Sequence, residues 1–416
     1  SYYGDAESIE YYSNLLLEGN LIQKNEKKAI KVLTRAATKY NISSCKFKLV
    51  NIYLSHHSND INDSNEDVNY FLAKKYCKEA ADEGIVPAML LYSKLSRWHK
   101  KNKHGEITSN PNDVMKYLKL SVKNDDPDGI AEYGKLFELG YVDLKPDPNK
   151  AIEYYKEAFE KGSMTGCALL GHVLYDGVGD VIKNEDEGYK LIDLAYEKKN
   201  PYGTAVYYNI YHTNNGFNKS LLKEATDLGD CLAFRNAGTC YMNGSGTEKN
   251  AELGFMYYKR AMEEGSSYAA YLIGLHYKKG IPELGIKPNI KRAIKYFKYS
   301  ADNGDLDEMN TYPYELAFLE NGADYIDEID KYLKKGIELG IPVCMLTYGT
   351  FLVTGKVYPM DMNEGKKYVK MAADLGLKPA MELYSTFAQI GQVDKNEAFM
   401  YKKMATQDED DECLIQ

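Results

Sequence analysis

"AIEYYKEAFEKG", residues 151–162, decides the fold, because the chain returns to its outline again and again. "AKKYCKEAADEG" (73–84), "GFMYYKRAMEEG" (254–265) and "AIKYFKYSADNG" (293–304) keep two small residues, a central aromatic or thiol, and a closing glycine. Ala151 and Ala158 lie seven apart, two turns of an α-helix, and so share one face. The closing glycine supplies the left-handed residue that ends a helix and frees the chain to turn.

The spacing of these closures shows how far the pattern extends. They fall at Gly84, Gly162, Gly229, Gly265, Gly304, Gly340 and Gly376, and the last four intervals are 36, 39, 36 and 36 residues. Two repeats fit between Gly84 and Gly162, with Asp125 at the missing terminus, and Asn200 divides the stretch from Gly162 to Gly229. A period of this size marks a repeat array.

Each period holds two helical patterns. The second is the quoted stretch, with a small-residue column at Ala36, Ala80, Ser121, Ala158, Tyr196, Ala225, Ala261, Ser300, Gly336, Ala372 and Ala405, where Tyr196 is the exception. Small side chains at one position predict that a neighbouring helix crosses there at close range. The first pattern is clearest in "GCALLGHVLYDG" (166–177), and its column runs Ser13, Asn51, Ser93, Gly134, Gly171, Asn209, Gly238, Gly274, Leu316, Gly349 and Ser385. Glycine inside a helix costs about 1 kcal/mol relative to alanine, so its recurrence implies compensating close packing. The count is about eleven hairpins, ending near 41, 84, 125, 162, 200, 229, 265, 304, 340, 376 and 407. No hairpin can bury its apolar face alone, so neighbours must stack into one continuous array.

Composition agrees with a folded protein and narrows its partners. Of 416 residues, 44% are apolar and 27% charged, and the net charge of −9 argues against a general nucleic-acid binder, which needs surplus Lys and Arg. No window approaches the about 18 apolar residues of a membrane span. Seven cysteines are scattered without a C-x-x-C or a Cys/His cluster, so zinc is not expected. Cys231 and Cys240 sit on one predicted helix, roughly 13 Å apart along its axis and too far for a disulfide. Reduced thiols acting as small apolar fillers, in a cytoplasmic protein, are the expectation.

"CALLGHVLYDGVG" followed by "GYKLIDLAYEKKN", and "AAYLIGLHYKKG" followed by "AIKYFKYSADNG", resemble the Sel-one-like repeat (SLR) family, relatives of the tetratricopeptide repeats. The resemblance covers almost the whole chain, and it departs near 98–112, in the short repeat of 201–229 and at Leu316. It implies an all-α solenoid, a right-handed superhelix of about eleven antiparallel helix pairs over residues 1–407, with an acidic tail at 408–416. It further implies a non-catalytic scaffold or adaptor that holds a protein partner on its concave face.

If that geometry holds, first-helix residues off the core stripe should line the concave face. The columns of Ala168, His172 and Tyr175 give Lys94, Arg97, Lys135, His172, Arg235, Thr239, Tyr271, Lys278 and Thr350 as partner-binding candidates. They form no continuous basic or aromatic ladder. One tyrosine of each second-helix pair, Tyr154–Tyr155 and Tyr257–Tyr258, is expected to pack between helices with its hydroxyl at the edge. His56-His57 with Asp60 and Asp63, in the polar run "NDINDSNED" (59–67), lacks the glycine and closing glutamate of a calcium loop, so it reads as a long loop. Gly177-x-Gly179 and Gly244-x-Gly246 read as turns, since neither follows a strand as a phosphate loop would. No nucleophile–base pair recurs, so neither catalytic residues nor cofactors are expected. The final Cys413-Leu414-Ile415-Gln416 matches a prenylation box, which would make Cys413 a lipid anchor and the protein peripherally membrane-bound, so that the alternative to an adaptor is a membrane-recruited regulator or a secreted effector.

Overall fold

The computed structural model describes residues 5–55, 64–97, 110–141, 144–178, 181–303, 309–389 and 393–412. Among them the chain forms 22 α-helices, which pair into eleven hairpins as the period predicts. The first six pairs are α1 (Ala6–Glu18) with α2 (Glu26–Lys39), α3 (Ser43–Ser55) with α4 (Ser64–Asp82), α5 (Val86–Arg97) with α6 (Pro111–Lys123), α7 (Pro127–Leu139) with α8 (Pro148–Glu160), α9 (Met164–Asp176) with α10 (Glu185–Glu197), and α11 (Pro201–Asn215) with α12 (Lys219–Leu228). The other five are α13 (Cys231–Asn243) with α14 (Ala251–Glu263), α15 (Ser267–Lys279) with α16 (Ile290–Asp302), α17 (Thr311–Ala317) with α18 (Ile326–Glu338), α19 (Pro342–Thr354) with α20 (Met362–Asp374), and α21 (Lys378–Gln389) with α22 (Lys395–Glu412).

The helices form two compact units. One comprises Ser1–Glu138, Pro148–Ala233 and Glu263–Gly265, and the other Leu139–Asp147, Phe234–Met262 and Ser266–Gln416. The first has a core in which Leu33, Cys45, Leu49, Tyr70, Cys77, Ala80, Tyr92 and Tyr117 meet. In the second, Phe255, Tyr258, Ile273, Phe297, Leu333 and Cys344 share one core cluster, and Val369, Ala372, Ala380, Tyr384 and Tyr401 another.

Three residues carry the chain from α8 to α9. After α8, the Gly162 amide donates to the Phe159 carbonyl and the Ser163 amide to the Ala158 carbonyl, with Gly162 at φ +94°. This is the paired closure of a helix end by a left-handed residue. Ser163 then caps α9, its side chain accepting from the Gly166 amide. The same pair of bonds recurs at Gly84, Asp125, Lys199, Gly340 and Gly376.

This geometry corrects the columns read from sequence. The left-handed residue of the fifth hairpin is Lys199, at φ +55°, and not Asn200, which caps α11. Four residues before Lys199 is Ala195, fully buried, so the crossing site is Ala195 and Tyr196 stands beside it. Asn41 is left-handed too, at φ +52°. Nine residues after Asn41 and Lys199 come Val50 and Tyr208, both buried, and these take the column positions in place of Asn51 and Asn209. Asn51 is exposed. At the third predicted departure Leu316 is buried, α17 has only seven residues, and a 3-10 helix at Gly322–Tyr325 follows it.

The first-helix glycines make room for second-helix rings. A Cβ on Gly238 would stand 2.5 Å from the Tyr258 ring, one on Gly274 2.5 Å from Phe297, and one on Gly134 2.7 Å from Tyr155. Tyr155 and Tyr258 are buried while their neighbours Tyr154 and Tyr257 are only half-buried, so one tyrosine of each pair fills the core. The Tyr155 hydroxyl donates to Glu138 on the first helix of the same hairpin.

Candidate functional site

The nine candidate face residues fall into two groups, one in each unit. In the first unit α5, α7, α9 and α11 bring Lys94, Arg97, Lys135 and His172 into one polar row. Its centre is Glu132 on α7, whose side chain is 8% exposed. Lys94 Nζ lies 3.1 Å from one carboxylate oxygen, Lys135 Nζ 3.9 Å from the same oxygen, and Arg97 Nη1 4.0 Å from the other. Burial alone would raise this carboxyl's pKa, but Lys135, Lys94 and Arg97 together hold it far below the usual carboxylate range. Lys135 is raised in turn, chiefly by Glu132. Asp230, which faces Lys135, is pushed up by burial.

The row continues from Lys135. Its ammonium sits 5.2 Å from the centre of the Tyr202 ring. The Tyr202 hydroxyl is 2.7 Å from His172 Nδ1, and the other ring nitrogen is 2.9 Å from Asp176. Four helices from four consecutive hairpins thus contribute to one chain of charged and aromatic contacts.

The second unit holds the other five candidates in separate settings. The Arg235 guanidinium lies over the Tyr268 ring at 5.1 Å, and Thr239 Oγ1 is 3.1 Å from the Tyr258 hydroxyl. Tyr271 packs against Tyr268 and Phe297, with centroids 5.6 and 5.9 Å away. Lys278 pairs with Glu315 at 2.5 Å, and Glu315 is nearly buried. Thr350 donates to the Leu346 carbonyl within its own helix. Cys413 and the pair His56-His57 lie outside the described residues.

Sequence columns missed Glu132, Tyr202 and Asp230, because each meets its partners across helices of different repeats. They also missed a recurring tether. In the spacing K-x3-D-x9-Y, followed on the next helix by D/E-x3-Y, the chain carries Lys78-Asp82-Tyr92 with Asp113-Tyr117, Lys298-Asp302-Tyr312 with Glu328-Tyr332, and Lys370-Asp374-Tyr384 with Glu397-Tyr401. In each, the two tyrosines meet edge-to-face, at 4.7 Å and 81°, 4.9 Å and 78°, and 5.2 Å and 76°. The second tyrosine, Tyr117, Tyr332 or Tyr401, donates to Asp82, Asp302 or Asp374 of the preceding hairpin. The first bonds the acid on the following helix, Tyr92 to Asp113 at 2.8 Å and Tyr384 to Glu397 at 2.9 Å. Lys334-Glu338-Tyr348 with Glu364-Tyr368 keeps the spacing and the ring pair, at 4.9 Å and 79°, while Lys334 turns to Asp330. These groups fasten consecutive hairpins.

Nucleophilic chemistry has little support in the thiols. Burial pushes Cys45 and Cys167 to about 11 and Cys77 and Cys344 to about 12, so they stay protonated. Among the described residues no group of three His, Cys, Asp or Glu could hold a metal ion, and no helix is long and apolar enough to cross a membrane.

Comparison with known proteins follows the same hairpins. The Sel1 repeat model matches residues 6–41, 64–85, 127–163, 165–200, 233–266, 267–305 and 332–377, together more than half of the chain. No curated protein matches the sequence. Among solved structures, a protective antigen of uropathogenic Escherichia coli with an SLR fold is 20% identical, with 97% of this chain and 84% of that chain covered at a TM-score of 0.45. A Sel1 repeat protein of Oxalobacter formigenes is 15% identical, with coverages of 90% and 93% and a TM-score of 0.32. Yeast Tom70 is 12% identical, with coverages of 98% and 90% and a TM-score of 0.40. With its repeats matched hairpin by hairpin over more than half its length, the chain belongs to the Sel1 repeat family.

Proposed function

We propose that this protein is a non-catalytic adaptor that holds a protein partner on the face formed by the first helices α5, α7, α9 and α11 of its first unit. The observation that carries the reading is the row from Lys94 to His172. It gathers side chains from four consecutive hairpins into one extended, partly exposed polar surface. A preformed surface of this kind binds through many moderate contacts, and rigid stacking spares the partner much of the ordering cost. The thiols are packed as fillers, and the tyrosine–carboxylate groups serve to join hairpins, which leaves the first-helix face as the functional surface.

The test is affinity purification of the full chain, followed by reconstitution with the partner it retains in stoichiometric amount. Lys94→Ala combined with His172→Ala, which leaves Glu132 two cations, is expected to weaken that partner by about tenfold, the loss of roughly 1.4 kcal/mol. Lys156→Ala, on an exposed position of α8, should leave binding unchanged. Equal binding by all three proteins would overturn the assignment of the face.

A further inference from the structure

We infer that α17 of the second unit presents a docking site for a short segment of a partner protein that carries a large apolar side chain and, two residues on, a carboxylate. Tyr314 and Phe318 receive the apolar side chain and Lys356 the carboxylate. This goes beyond the adaptor reading, which concerns the first unit.

The site lies where the array departs from its own pattern. The Sel1 repeat model matches 267–305 and 332–377 and leaves α17 between them. α17 has seven residues, while its neighbours α15 and α19 have 13 each. Lys278 at the end of α15 pairs with Glu315 from one side, and Lys356, just beyond α19, stands 5.0 Å from the centre of the Phe318 ring on the other. Two large rings of α17 are left in water. Tyr314 is 42% exposed and Phe318 54%, their centroids 4.7 Å apart, and both rest against the buried Phe351. Met360, 66% exposed, belongs to the same α19–α20 loop as Lys356. Single exposed apolar residues are ordinary on a folded surface, but two rings packed on each other over a core ring and rimmed by a cation mark an interaction site. Stacking of the hairpins does not need them, because α17 joins the core through Tyr312, Leu316 and Ala317.

Charge and size together choose the occupant. Among the described residues Lys356 pairs with no carboxylate: Glu315 is held by Lys278 at 2.5 Å, and Glu320 makes no ion pair with it. Its ammonium is spent on the face of an aromatic ring, so a carboxylate arriving there gains an ion pair without displacing another acid. The steps from Tyr314 to Phe318 and from Phe318 to Lys356 are 4.7 and 5.0 Å. Side chains two apart on an extended segment share one face about 6.6 Å apart, which fits one on the rings and the other at the ammonium. A stable dimer covers roughly 800 Å² per partner, far more than these few side chains offer, so a short segment suits the site better than a second copy. A bilayer would have to take in the ammonium together with the ring it covers, at the cost of burying a charge.

Photo-crosslinking of the full chain tests the site with defined probes. These are biotinylated, amidated nonapeptides with Gly-Ser flanks around a core of p-benzoylphenylalanine-Ser-Asp, or the same core with Asn or Lys in place of Asp. The Asp probe should label the chain at least about threefold more than the Asn probe, and mass spectrometry should place the adduct within 311–318 or 355–361. Phe318→Ser should lower labelling by the Asp probe about tenfold, with circular dichroism unchanged because the ring is exposed. Lys356→Glu should reverse the preference, so that the Lys probe labels more than the Asp probe. Lys94→Ala with His172→Ala should leave labelling as in the wild type. Equal labelling by the Asp and Asn probes, labelling untouched by Phe318→Ser, or an Asp preference that survives Lys356→Glu each overturns the inference. So does a dimer in light scattering, or binding to phosphatidylserine vesicles, that Phe318→Ser abolishes, since a second copy or a lipid surface is then the occupant. The adaptor reading is decided separately, by whether the Lys94 and His172 double variant loses its purified partner.

Discussion

Lys199 is a lysine in a backbone conformation that suits glycine. At φ +55° its Cβ crowds the following carbonyl, and the side chain gains little in return, ending 3.9 Å from Glu224 in an exposed ion pair. Lys199→Gly is expected to raise stability by about 0.5–1 kcal/mol, read as a higher urea midpoint at unchanged slope. The converse holds at Gly162, at φ +94° with nothing within 4 Å of where an added methyl group would stand, so the cost of Gly162→Ala is backbone strain alone. It should lower stability by about 1–2 kcal/mol. Lys199 also shows why the linear sequence misplaces a register. A closing glycine announces the left-handed position, but Asn41 and Lys199 take the same conformation without announcing it. Counting back four from the true left-handed residue gives Ala195, and counting forward nine gives Val50 and Tyr208.

The hairpin is held by glycine against ring, and there the fit can be tested by pairs of changes. Gly274→Ala would push a Cβ to 2.5 Å from the buried Phe297 ring, and overpacking of this kind costs about 1–3 kcal/mol. Phe297→Leu should recover part of that loss in the double variant, although it is destabilising alone. Denaturant unfolding of the four proteins closes the cycle, and strict additivity would contradict direct packing. Between hairpins the tether is polar. Tyr332→Phe removes the hydroxyl that Asp302 accepts and should cost about 1 kcal/mol. The element scale was the most legible in the sequence, because small residues and closures recur at fixed spacing within one repeat. The tether and the Glu132 row were harder to see. The tether needs a partner 13 to 35 residues away on another helix and the row one as far as Lys135 is from Tyr202, and only the K-x3-D-x9-Y spacing leaves a trace in the linear sequence. Lys94, Arg97 and Lys135 could be placed on a face from their columns, but the acid that gathers them could not.

Over the whole molecule these tethers make stability depend on the phenols. The chain has 38 tyrosines. Burial and neighbouring carboxylates push Tyr92, Tyr117, Tyr332 and Tyr401 well above the ordinary phenol range, and Tyr384 to about 12. A phenol whose pKa is raised on folding holds its proton in the native state while the unfolded chain releases it. Its contribution is therefore fully present below about pH 10, the unfolded value, and is lost as pH rises toward the folded value. Urea midpoints should accordingly fall between about pH 10 and pH 12. Over the same interval phenolate absorbance should lag behind that of 38 free tyrosines, then rise abruptly when the chain unfolds. Acid acts with the opposite sign at Glu132, whose lowered carboxyl contributes fully above about pH 4.3 and loses that contribution progressively as pH falls from there through the folded value. Replacing Tyr117, Tyr332 and Tyr401 together by Phe separates the tethers from general alkaline damage. The triple variant should be less stable at neutral pH, yet lose less between about pH 10 and pH 12 than the wild type. A variant whose alkaline loss equals that of the wild type would show that these three hydroxyls do not govern it.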